Sequence, residues 1–355
     1  MCRVRVLICS IAFLALAVGA SAAPVYTYTM VDPESQSVTQ INNSGMISSH
    51  TDWVAKVYHG GVLDNLTTEV PHAWSCYGVN ESGVAVGGEV ASDWSPPYTS
   101  WQCNIFTRAV SAVAIPNDSV ACDINKDGVI LGVHSVAYYS GPTYVDDVFV
   151  GKVVGGVWTQ IAKTATVLDE NGYDDFTRLK INSLGKFCGQ VQGVTGLDTT
   201  NRGFVGTDAG ITMVDTFGGD DSSLHDINDA GIAVGWAEDA AGARHILRYD
   251  SNTDTIEDLG LGIANAINNL GDIVGVLADG SPFLYSGGVF TDLGDPGVVI
   301  GGPYSMWDAF DINDSGQIIG HGNDDFLLDP VAVPEPATMS LLALGGLALL
   351  LRRRK

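Results

Sequence analysis

The sequence predicts an all-β repeat fold, and three observations support this prediction. The chain has 43 glycines and only 16% charged residues, a composition typical of short strands joined by tight turns. One short phrase recurs seven times along the chain. Each repeat covers roughly 45 residues with about four strand-like segments, which is the size of a β-propeller blade. We therefore expect a seven-bladed β-propeller over residues 24–331, with an open β-solenoid as the alternative.

The repeated phrase is an apolar residue, Asn, two variable residues, Gly and further apolar residues. Asn favours the first position of a type I turn, and Gly three residues later accepts a positive φ. Each phrase therefore predicts a hairpin turn, and a second Gly predicts close approach of neighbouring backbone. The turn residues are Asn42 and Gly45, Asn80 and Gly83, Asn125 and Gly128, Asn182 and Gly185, Asn228 and Gly231, Asn268 and Gly271, and Asn313 and Gly316. The second glycines are Gly87, Gly132, Gly189, Gly235, Gly275 and Gly320, with Ser49 in that place in the first repeat.

The two ends of the repeat region favour a closed ring. Tyr26-Thr27-Tyr28-Thr29 alternates like a strand and precedes the first turn, while Phe326-Leu327-Leu328 follows the last turn without a partner. We expect each segment to complete a blade with the other, because a propeller protects its sheet edges in this way.

The repeat resembles the extracellular HAF-type repeat over about residues 40–330. The eponymous His-Ala-Phe does not occur in this chain, and Arg202-Gly203-Phe204 and Ser281-Pro282-Phe283 stand near its place. The resemblance implies an extracellular repeat protein.

Residues 1–23 have the layout of a secretory signal peptide with a short helix. Arg3 and Arg5 precede the apolar run 6–19, and small residues follow at 20–23. We expect cleavage by signal peptidase just before Ala23 or Pro24. A retained membrane anchor is the alternative.

The segment 332–355 has three parts that together indicate a sorting signal. Val333, Pro334, Glu335 and Pro336 precede the apolar stretch 337–351, and Arg352, Arg353, Arg354 and Lys355 follow it. The apolar stretch predicts a transmembrane helix whose basic end stays cytoplasmic. The arrangement resembles the PEP-CTERM sorting signal of Gram-negative bacteria. This resemblance implies an exosortase as processing enzyme, transient anchoring in the inner membrane, cleavage near the Pro-Glu-Pro motif and delivery to the cell surface. It also implies a link to exopolysaccharide and biofilm. We therefore expect exopolysaccharide or another surface protein as a partner.

The net charge of −24 argues against nucleic acid and anionic lipid headgroups as partners. Asp123, Asn125 and Asp127 spell D-x-N-x-D-G, the opening of many calcium loops. The distant Glu of such loops is absent, and the same turn recurs without the acids. A structural turn is therefore the first interpretation and a calcium site the second.

Four cysteines follow the signal peptide: Cys76, Cys103, Cys122 and Cys188. In an oxidising compartment an even count predicts disulfides, and three pairings are open. We favour Cys76 with Cys103 or with Cys122, while Cys188 is equally suited to be a free core thiol.

We predict no catalytic residues, because the chain contains neither H-E-x-x-H nor G-x-S-x-G. The sequence therefore favours an exported, non-enzymatic interaction or structural module. We expect no cofactor, except structural calcium if the Asp123 loop binds it. The alternative is a secreted propeller hydrolase or lyase that acts on polysaccharide.

Overall fold

The computed structural model describes residues 24–32, 38–51, 54–66, 68–73, 75–89, 99–116, 118–140, 143–167, 178–192, 200–295, 298–300 and 306–331. The predicted signal peptide and the C-terminal sorting segment, with their expected helices, lie outside these ranges. Every named element of the described residues is a β-strand, as the composition predicts. None of the described residues belongs to a helix long and apolar enough to span a membrane.

Four sheets are simple meanders of four consecutive antiparallel strands. The first sheet contains β2 (Val38–Ile41), β3 (Ile47–Thr51), β4 (Val54–His59) and β5 (Val62–Asn65). The second contains β6 (Gly78–Val79), β7 (Val84–Glu89), β8 (Thr99–Asn104) and β9 (Ala109–Ala112). The third contains β10 (Ser119–Ile124), β11 (Ile130–Ser140), β12 (Thr143–Val154) and β13 (Val157–Val167). The fourth contains β14 (Lys180–Ile181), β15 (Phe187–Gln192), β16 (Asn201–Thr207) and β17 (Gly210–Met213).

The next sheet has seven strands because one long strand serves two repeats. It contains β18 (Gly218–Ile227), β19 (Ile232–Asp239), β20 (Arg244–Asp250), β21 (Thr255–Ile267), β22 (Ile273–Leu277), β23 (Pro282–Ser286) and β24 (Val289–Asp292). The first part of β21 pairs with β20 and the part from Gly262 onward pairs with β22. The described strands therefore form six hydrogen-bonded sheets, and not the seven separate sheets that seven repeats predict.

A five-stranded sheet closes the ring. It contains β26 (Met306–Ile312), β27 (Ile318–Gly322), β28 (Asp325–Pro330), β1 (Tyr26–Asp32) and β25 (Val299–Ile300). The pairing of β1 with β28 is antiparallel and sets Tyr28 opposite Leu328 and Met30 opposite Phe326. The predicted joining of the two ends is confirmed. The fold is an all-β propeller, and the open solenoid is wrong.

The core lies between neighbouring sheets. Leu131 and Val150 of the third sheet, for example, pack in one cluster with Phe187 and Phe204 of the fourth. Similarly, Val274 of the seven-stranded sheet shares a cluster with Phe326 of the closing sheet. Burial of these apolar faces against each other is the main stabilising contribution, as in other layered β folds.

The seven predicted turns form as the sequence indicates. All seven turn glycines have φ between +72° and +86°, which is the left-handed region that a Cβ disfavours. The predicted close approach at the second glycine is also present. A Cβ on Gly235 would lie 2.0 Å from the Ser223 carbonyl oxygen, and on Gly275 it would lie 2.1 Å from that of Ile263.

Candidate functional site

The seven Asn-x-x-Gly turns lie at one end of the propeller, which we call the turn face. In every turn the glycine N–H donates to the Asn carbonyl at 2.9–3.1 Å. The Asn side-chain oxygen accepts the N–H of the residue four positions on, at 2.9–3.0 Å. These two hydrogen bonds fix the turn and leave the amide nitrogen of each Asn pointing sideways, toward the next repeat.

The amide nitrogens link the turns into a closed ring. Asn228 Nδ2 donates to the main-chain oxygen of Asn268 at 3.1 Å, and Asn268 Nδ2 donates to that of Asn313 at 3.1 Å. Asn313 Nδ2 donates to the main-chain oxygen of Asn42 at 3.0 Å, which closes the ring. Six of the seven turns make this step to the next turn Asn, at 2.9–3.4 Å. In the first turn Asn42 Nδ2 donates instead to the main-chain oxygen of Val79, one residue before the next turn Asn, at 3.3 Å. Each Asn therefore both shapes its own turn and locks it to its neighbour.

Three carboxylates inside the ring make a second set of links between repeats. Asp123, Asp226 and Asp311 each stand two residues before a turn Asn. Each accepts the N–H of its own following isoleucine at 2.8 Å. The other oxygen accepts the corresponding N–H of the next repeat, from Ile181, Ile267 and Ile41 respectively, at 2.8–2.9 Å.

Gln40 occupies the same position in the first repeat and makes an equivalent link. Its Oε1 accepts the Val79 N–H at 3.0 Å, and its Nε2 donates to Asp123 Oδ1 at 2.9 Å. The second repeat has Gly78 at this position. A Cβ there would lie 3.0 Å from both the Asp123 carboxylate and the Gln40 amide oxygen, so the missing side chain leaves room for their direct contact.

Lys180 stands two residues before the turn Asn of the fourth repeat. It places a positive charge among the three carboxylates. Its Nζ donates a long hydrogen bond of 3.4 Å to the Thr39 main-chain oxygen. The charges of Asp123, Asp311 and Asp226 outweigh burial and raise the pKa of Lys180. The ammonium is therefore held in its charged form as the counter-ion of the three carboxylates.

Burial sets the protonation of two of these acids. Burial, followed by the charge of Asp311, raises the pKa of Asp226 to about 7. Burial also raises the pKa of Asp311 to about 6, against the lowering effect of Lys180. The inner ring can therefore take up protons near neutral pH, unlike an exposed carboxylate.

A β-bulge places a further layer of side chains along the channel. The register of the inner strand shifts between Leu224 and Asp226 and again between Ala264 and Ala266. The extra residues, His225 and Asn265, line a small cavity with Arg178 and Lys180. Bulges redirect side chains in this manner.

Arg178 and Asn265 tie this deeper layer together. Arg178 Nη1 lies 3.0 Å from His225 Nδ1, and Asn265 Nδ2 donates to Asp308 Oδ1 at 2.5 Å. Burial and the charge of Arg178 lower the pKa of His225 well below its usual value, so this imidazole is neutral at pH 7. Burial raises the pKa of Asp308.

The rim of the channel carries the residue that follows each turn Asn. The Asp229 N–H donates to Asn269 Oδ1, and the Asn269 N–H donates to Asp314 Oδ1, both at 2.8 Å. The Asp314 N–H donates to Asn43 Oδ1 at 2.8 Å. Rim, Asn ring and inner carboxylates together line a polar opening of about 680 Å³, including its part open to solvent. The opening offers amide and carboxylate groups to a polar ligand.

The three residues proposed for calcium take part in the turn and in the links between repeats. Both Asp123 oxygens accept N–H groups, and Asn125 Oδ1 accepts the N–H groups of Asp127 and Val129. Asp127 is exposed and pairs with Lys126 at 3.1 Å. Within the described ranges no three His, Cys, Asp or Glu side chains group as metal ligands. The turn interpretation therefore accounts for these residues.

The predicted disulfides are not formed. Cys76, Cys103, Cys122 and Cys188 are all free and buried. Cys76 and Cys103 share one apolar cluster, whereas Cys122 and Cys188 lie in two others. Burial raises the pKa of the Cys76 thiol to about 12 and raises that of Cys188 as well. These residues act as small core hydrophobes.

The remaining predicted site residues lie outside the described ranges. They are Val333, Pro334, Glu335 and Pro336 of the sorting motif and the basic residues Arg352, Arg353, Arg354 and Lys355. Sequence reasoning missed Lys180 and Gln40. An alignment of the seven repeats could have identified them, because both stand two residues before a turn Asn, where three other repeats have Asp.

Comparison with known proteins identifies the C-terminal segment. Residues 332–355 match the family model of the PEP-CTERM protein-sorting motif, which confirms that part of the sequence prediction. The comparison with curated proteins gives no match. The HAF-type resemblance stays a prediction.

Solved structures similar to the chain include a β-propeller domain. The β-propeller domain of the Trilobed protease from Pyrococcus furiosus is 8% identical over 84% of this chain and 91% of that chain, with a TM-score of 0.48. The acylaminoacyl peptidase of Pyrococcus horikoshii is 8% identical over 82% of this chain and 50% of that chain, with a TM-score of 0.48, so this chain spans half of that one. YCF48 bound to D1 peptide is 10% identical over 88% of this chain and 99% of that chain, with a TM-score of 0.49. At these scores the similarities carry no argument about function.

Proposed function

We propose that the chain is an exported surface or extracellular protein whose propeller is a non-enzymatic interaction or structural module. The observation that carries this proposal is the match of residues 332–355 to the PEP-CTERM protein-sorting motif. Such a motif implies recognition by an exosortase and export to the cell surface. We further propose that signal peptidase removes residues 1–23 and that the segment 332–355 anchors the chain transiently before cleavage near Pro334-Glu335-Pro336.

The hydrogen bonding of the channel supports a non-enzymatic role. A general acid or base needs a carboxyl oxygen that can reach a substrate proton. In Asp123, Asp226 and Asp311 one carboxylate oxygen instead accepts the N–H of the following isoleucine, and the other accepts a main-chain N–H of the adjacent repeat. Their arrangement therefore serves the closure of the ring.

We also propose that the propeller is best counted as seven blades. The ring of amide hydrogen bonds has seven members, and β21 pairs with β20 through one part and with β22 through another. Dividing the seven-stranded sheet within β21 gives each turn its own sheet. Gly260 and Gly262, with φ of +110° and +148°, mark the point of division.

The proposed ligand class is extracellular polysaccharide. The rim residues Asn43, Asp229, Asn269 and Asp314 present amide and carboxylate groups around an open mouth, and such groups hydrogen-bond well to hydroxyl groups. A role in exopolysaccharide or biofilm fits an acidic, exported protein.

Intact-mass analysis in a native host tests the processing. We expect loss of residues up to Ala22 or Ala23 and of the tail beyond about residue 336. Deletion of the exosortase, or Pro334→Ala combined with Pro336→Ala, should leave the tail attached in the membrane fraction, whereas Ala332→Ser should be processed normally. A tail retained in the host with an active exosortase would contradict the proposal.

Incubation of the processed protein with the host's exopolysaccharide separates the module from the enzyme. We expect co-sedimentation with the polymer, weakened by Asp314→Ala at the rim and unchanged by Asp220→Ala away from it. The polymer should keep its length in size-exclusion chromatography. Shortening of the polymer would instead support the hydrolase or lyase alternative.

A further inference from the structure

The mouth of the channel ends on a floor of charged side chains. Lys180, Asp226 and Asp311 all line the polar opening of about 680 Å³. A second cavity of about 270 Å³ lies further in, and Lys180 and Asp311 line both cavities, so they separate one from the other. Pockets for small ligands typically measure roughly 300–1,000 Å³, a range that includes the mouth and excludes the inner cavity. The mouth is therefore a pocket that opens to solvent and closes at Lys180.

Lys180 has hydrogen-bonding capacity that the protein does not use. An ammonium group has three N–H donors, and Lys180 Nζ makes one hydrogen bond within the described ranges, of 3.4 Å, to the Thr39 main-chain oxygen. Among the described residues no carboxylate oxygen lies within 4.0 Å of this nitrogen. A gap therefore separates the ammonium from the carboxylates whose charges act on it.

The carboxylates keep lone pairs that face the same gap. A carboxylate offers about four acceptor sites. Asp226 and Asp311 each use one site on either oxygen, for main-chain N–H groups of their own and of the next repeat. Both side chains line the mouth together with Lys180. The floor thus presents free hydrogen-bond donors and free acceptors to one ligand.

A hydroxyl group fits this arrangement better than a charged group does. A hydroxyl accepts one hydrogen bond while it donates another, so it can lie between Lys180 and a carboxylate. A carboxylate on the ligand accepts only, and the acids of the floor would repel it. An ammonium on the ligand donates only, and Lys180 would repel it. The floor is therefore suited to an uncharged group with several hydroxyls.

The closed shape decides which part of a polymer can reach the floor. Lys180, Asp226 and Asp311 stand two residues before a turn Asn, whereas the rim residues follow the turn Asn, so the floor lies deeper than the rim. An internal unit of a polysaccharide is connected on two sides, and it enters a pocket with one opening only if the chain folds back. A terminal unit has a single connection and enters directly.

We propose that the channel mouth binds the terminal sugar unit of a polysaccharide chain, with uncharged hydroxyl groups of that unit between Lys180 and the carboxylates of Asp226 and Asp311. This inference rests on the proposed polysaccharide ligand and adds which part of the polymer is recognised.

Calorimetric titration of the processed protein with the host's exopolysaccharide, intact and sheared by ultrasound, tests end recognition. Shearing creates chain ends and leaves the total mass of sugar unchanged. We expect the number of binding sites per gram to rise in step with the number of chain ends. A number per gram that does not change overturns end recognition and leaves the polysaccharide ligand in place. Absence of binding to both preparations overturns the ligand and the inference together.

Substitutions at the mouth locate the binding site. Ser183 lines the mouth, and Ser183→Trp should fill it and weaken binding of the sheared polymer several-fold. Leu184→Trp is the matched control, because it adds the same side chain at the next position, which is 73% exposed and does not line the mouth. It should bind like wild type. Equal affinity of the two variants would place binding elsewhere and overturn the inference.

Two further measurements test the floor. Lys180→Met should also weaken binding several-fold, at a temperature where circular dichroism shows the variant folded, and full affinity in the folded variant would exclude a contact with Lys180. Added salt should leave the affinity of wild type unchanged, because an uncharged ligand group is not screened. A marked change of affinity with salt would mean that the recognised unit is charged and would contradict the proposed ligand group.

Discussion

Asn313 Nδ2 donates a 3.0 Å hydrogen bond to the main-chain oxygen of Asn42, a residue 271 positions earlier in the chain. This contact joins the last turn to the first with the same geometry that joins consecutive turns elsewhere. One residue type therefore provides both the local turn and the long-range closure. Two functions of one side chain can be separated by substitution, because the oxygen serves the turn and the nitrogen serves the ring.

Asn228→Asp should show the value of the ring contact. The variant keeps an oxygen for the Ile232 N–H but faces the Asn268 oxygen with an acceptor in place of a donor. We expect a loss of about 1–3 kcal/mol in the free energy of unfolding, since a buried acceptor is left without its donor. Urea denaturation measures this change in the free energy of unfolding, with Asp220→Ala as an exposed control. Equal stability of the two variants would show that the ring contact contributes nothing.

Gly271 isolates the effect of backbone conformation. Its φ is +86°, and nothing lies within 4 Å of the position a Cβ would take. Gly271→Ala should cost about 1 kcal/mol or more from φ alone, and Gly271→Val should cost more because it is β-branched. Gly271→Asn should be milder, since Asn tolerates this region. Thermal melting curves rank the three variants, and an unchanged melting temperature for Gly271→Val would refute the strain.

Lys180→Met should destabilise the propeller by leaving three carboxylates without their counter-ion. Removing one partner of a buried charge cluster costs about 3–5 kcal/mol. Lys180→Arg should lose less stability than Lys180→Met, because it keeps the positive charge beside the carboxylates. Adding Asp311→Asn to Lys180→Met should recover part of the loss at pH 8, as the double variant has one negative charge fewer. Strict additivity in urea denaturation would mean that Lys180 and Asp311 do not interact.

The raised pKa of Asp226 predicts a defined pH dependence. Between its usual value of 3.8 and about 7, the folded protein holds a proton that the unfolded chain has released. The stability from this group is complete below pH 4 and is lost as the pH rises through about 7. The lowered pKa values of His225 and His50 act in the opposite direction, so wild type alone does not isolate the effect.

The comparison with Asp226→Asn isolates it. The variant cannot ionise, so its melting temperature relative to wild type should improve from pH 5 to about pH 7 and then level off. A difference that stays constant over this range would show that Asp226 does not titrate there.

The cysteines should behave as inert core thiols. The processed protein should incorporate no N-ethylmaleimide while folded, because burial raises the pKa of the thiols and excludes the reagent. In denaturant without reductant, all four cysteines should react. Mass spectrometry counts the additions, and fewer than four in denaturant would restore the disulfide prediction.

The sequence contained most of the fold because its turns are local. The Asn-to-Gly spacing fixes a positive φ and a hairpin at every repeat, and this needs no tertiary information. The sheet count differed because β21 continues through Gly260 and Gly262 and pairs with both β20 and β22, a continuity that the sequence does not show. The candidate site was harder to predict from the sequence. Lys180 meets Asp123, Asp226 and Asp311 only after the ring closes, and the bulges that turn His225 and Asn265 into the channel depend on the partner strand.

The pairing of β1 with β28 also orders the folding of the chain in time. Thr27 lies opposite Asp329, 302 positions later. The first described strand to be synthesised, β1, can therefore pair only after the last one, β28, has been synthesised. Contacts of such sequence separation form slowly, because the chain between them must first be ordered. A polypeptide interrupted before β28 would carry two unsatisfied strand edges, on β1 and on β27, and such edges invite aggregation. Only a chain that includes β28 can therefore cover these two edges by strand pairing.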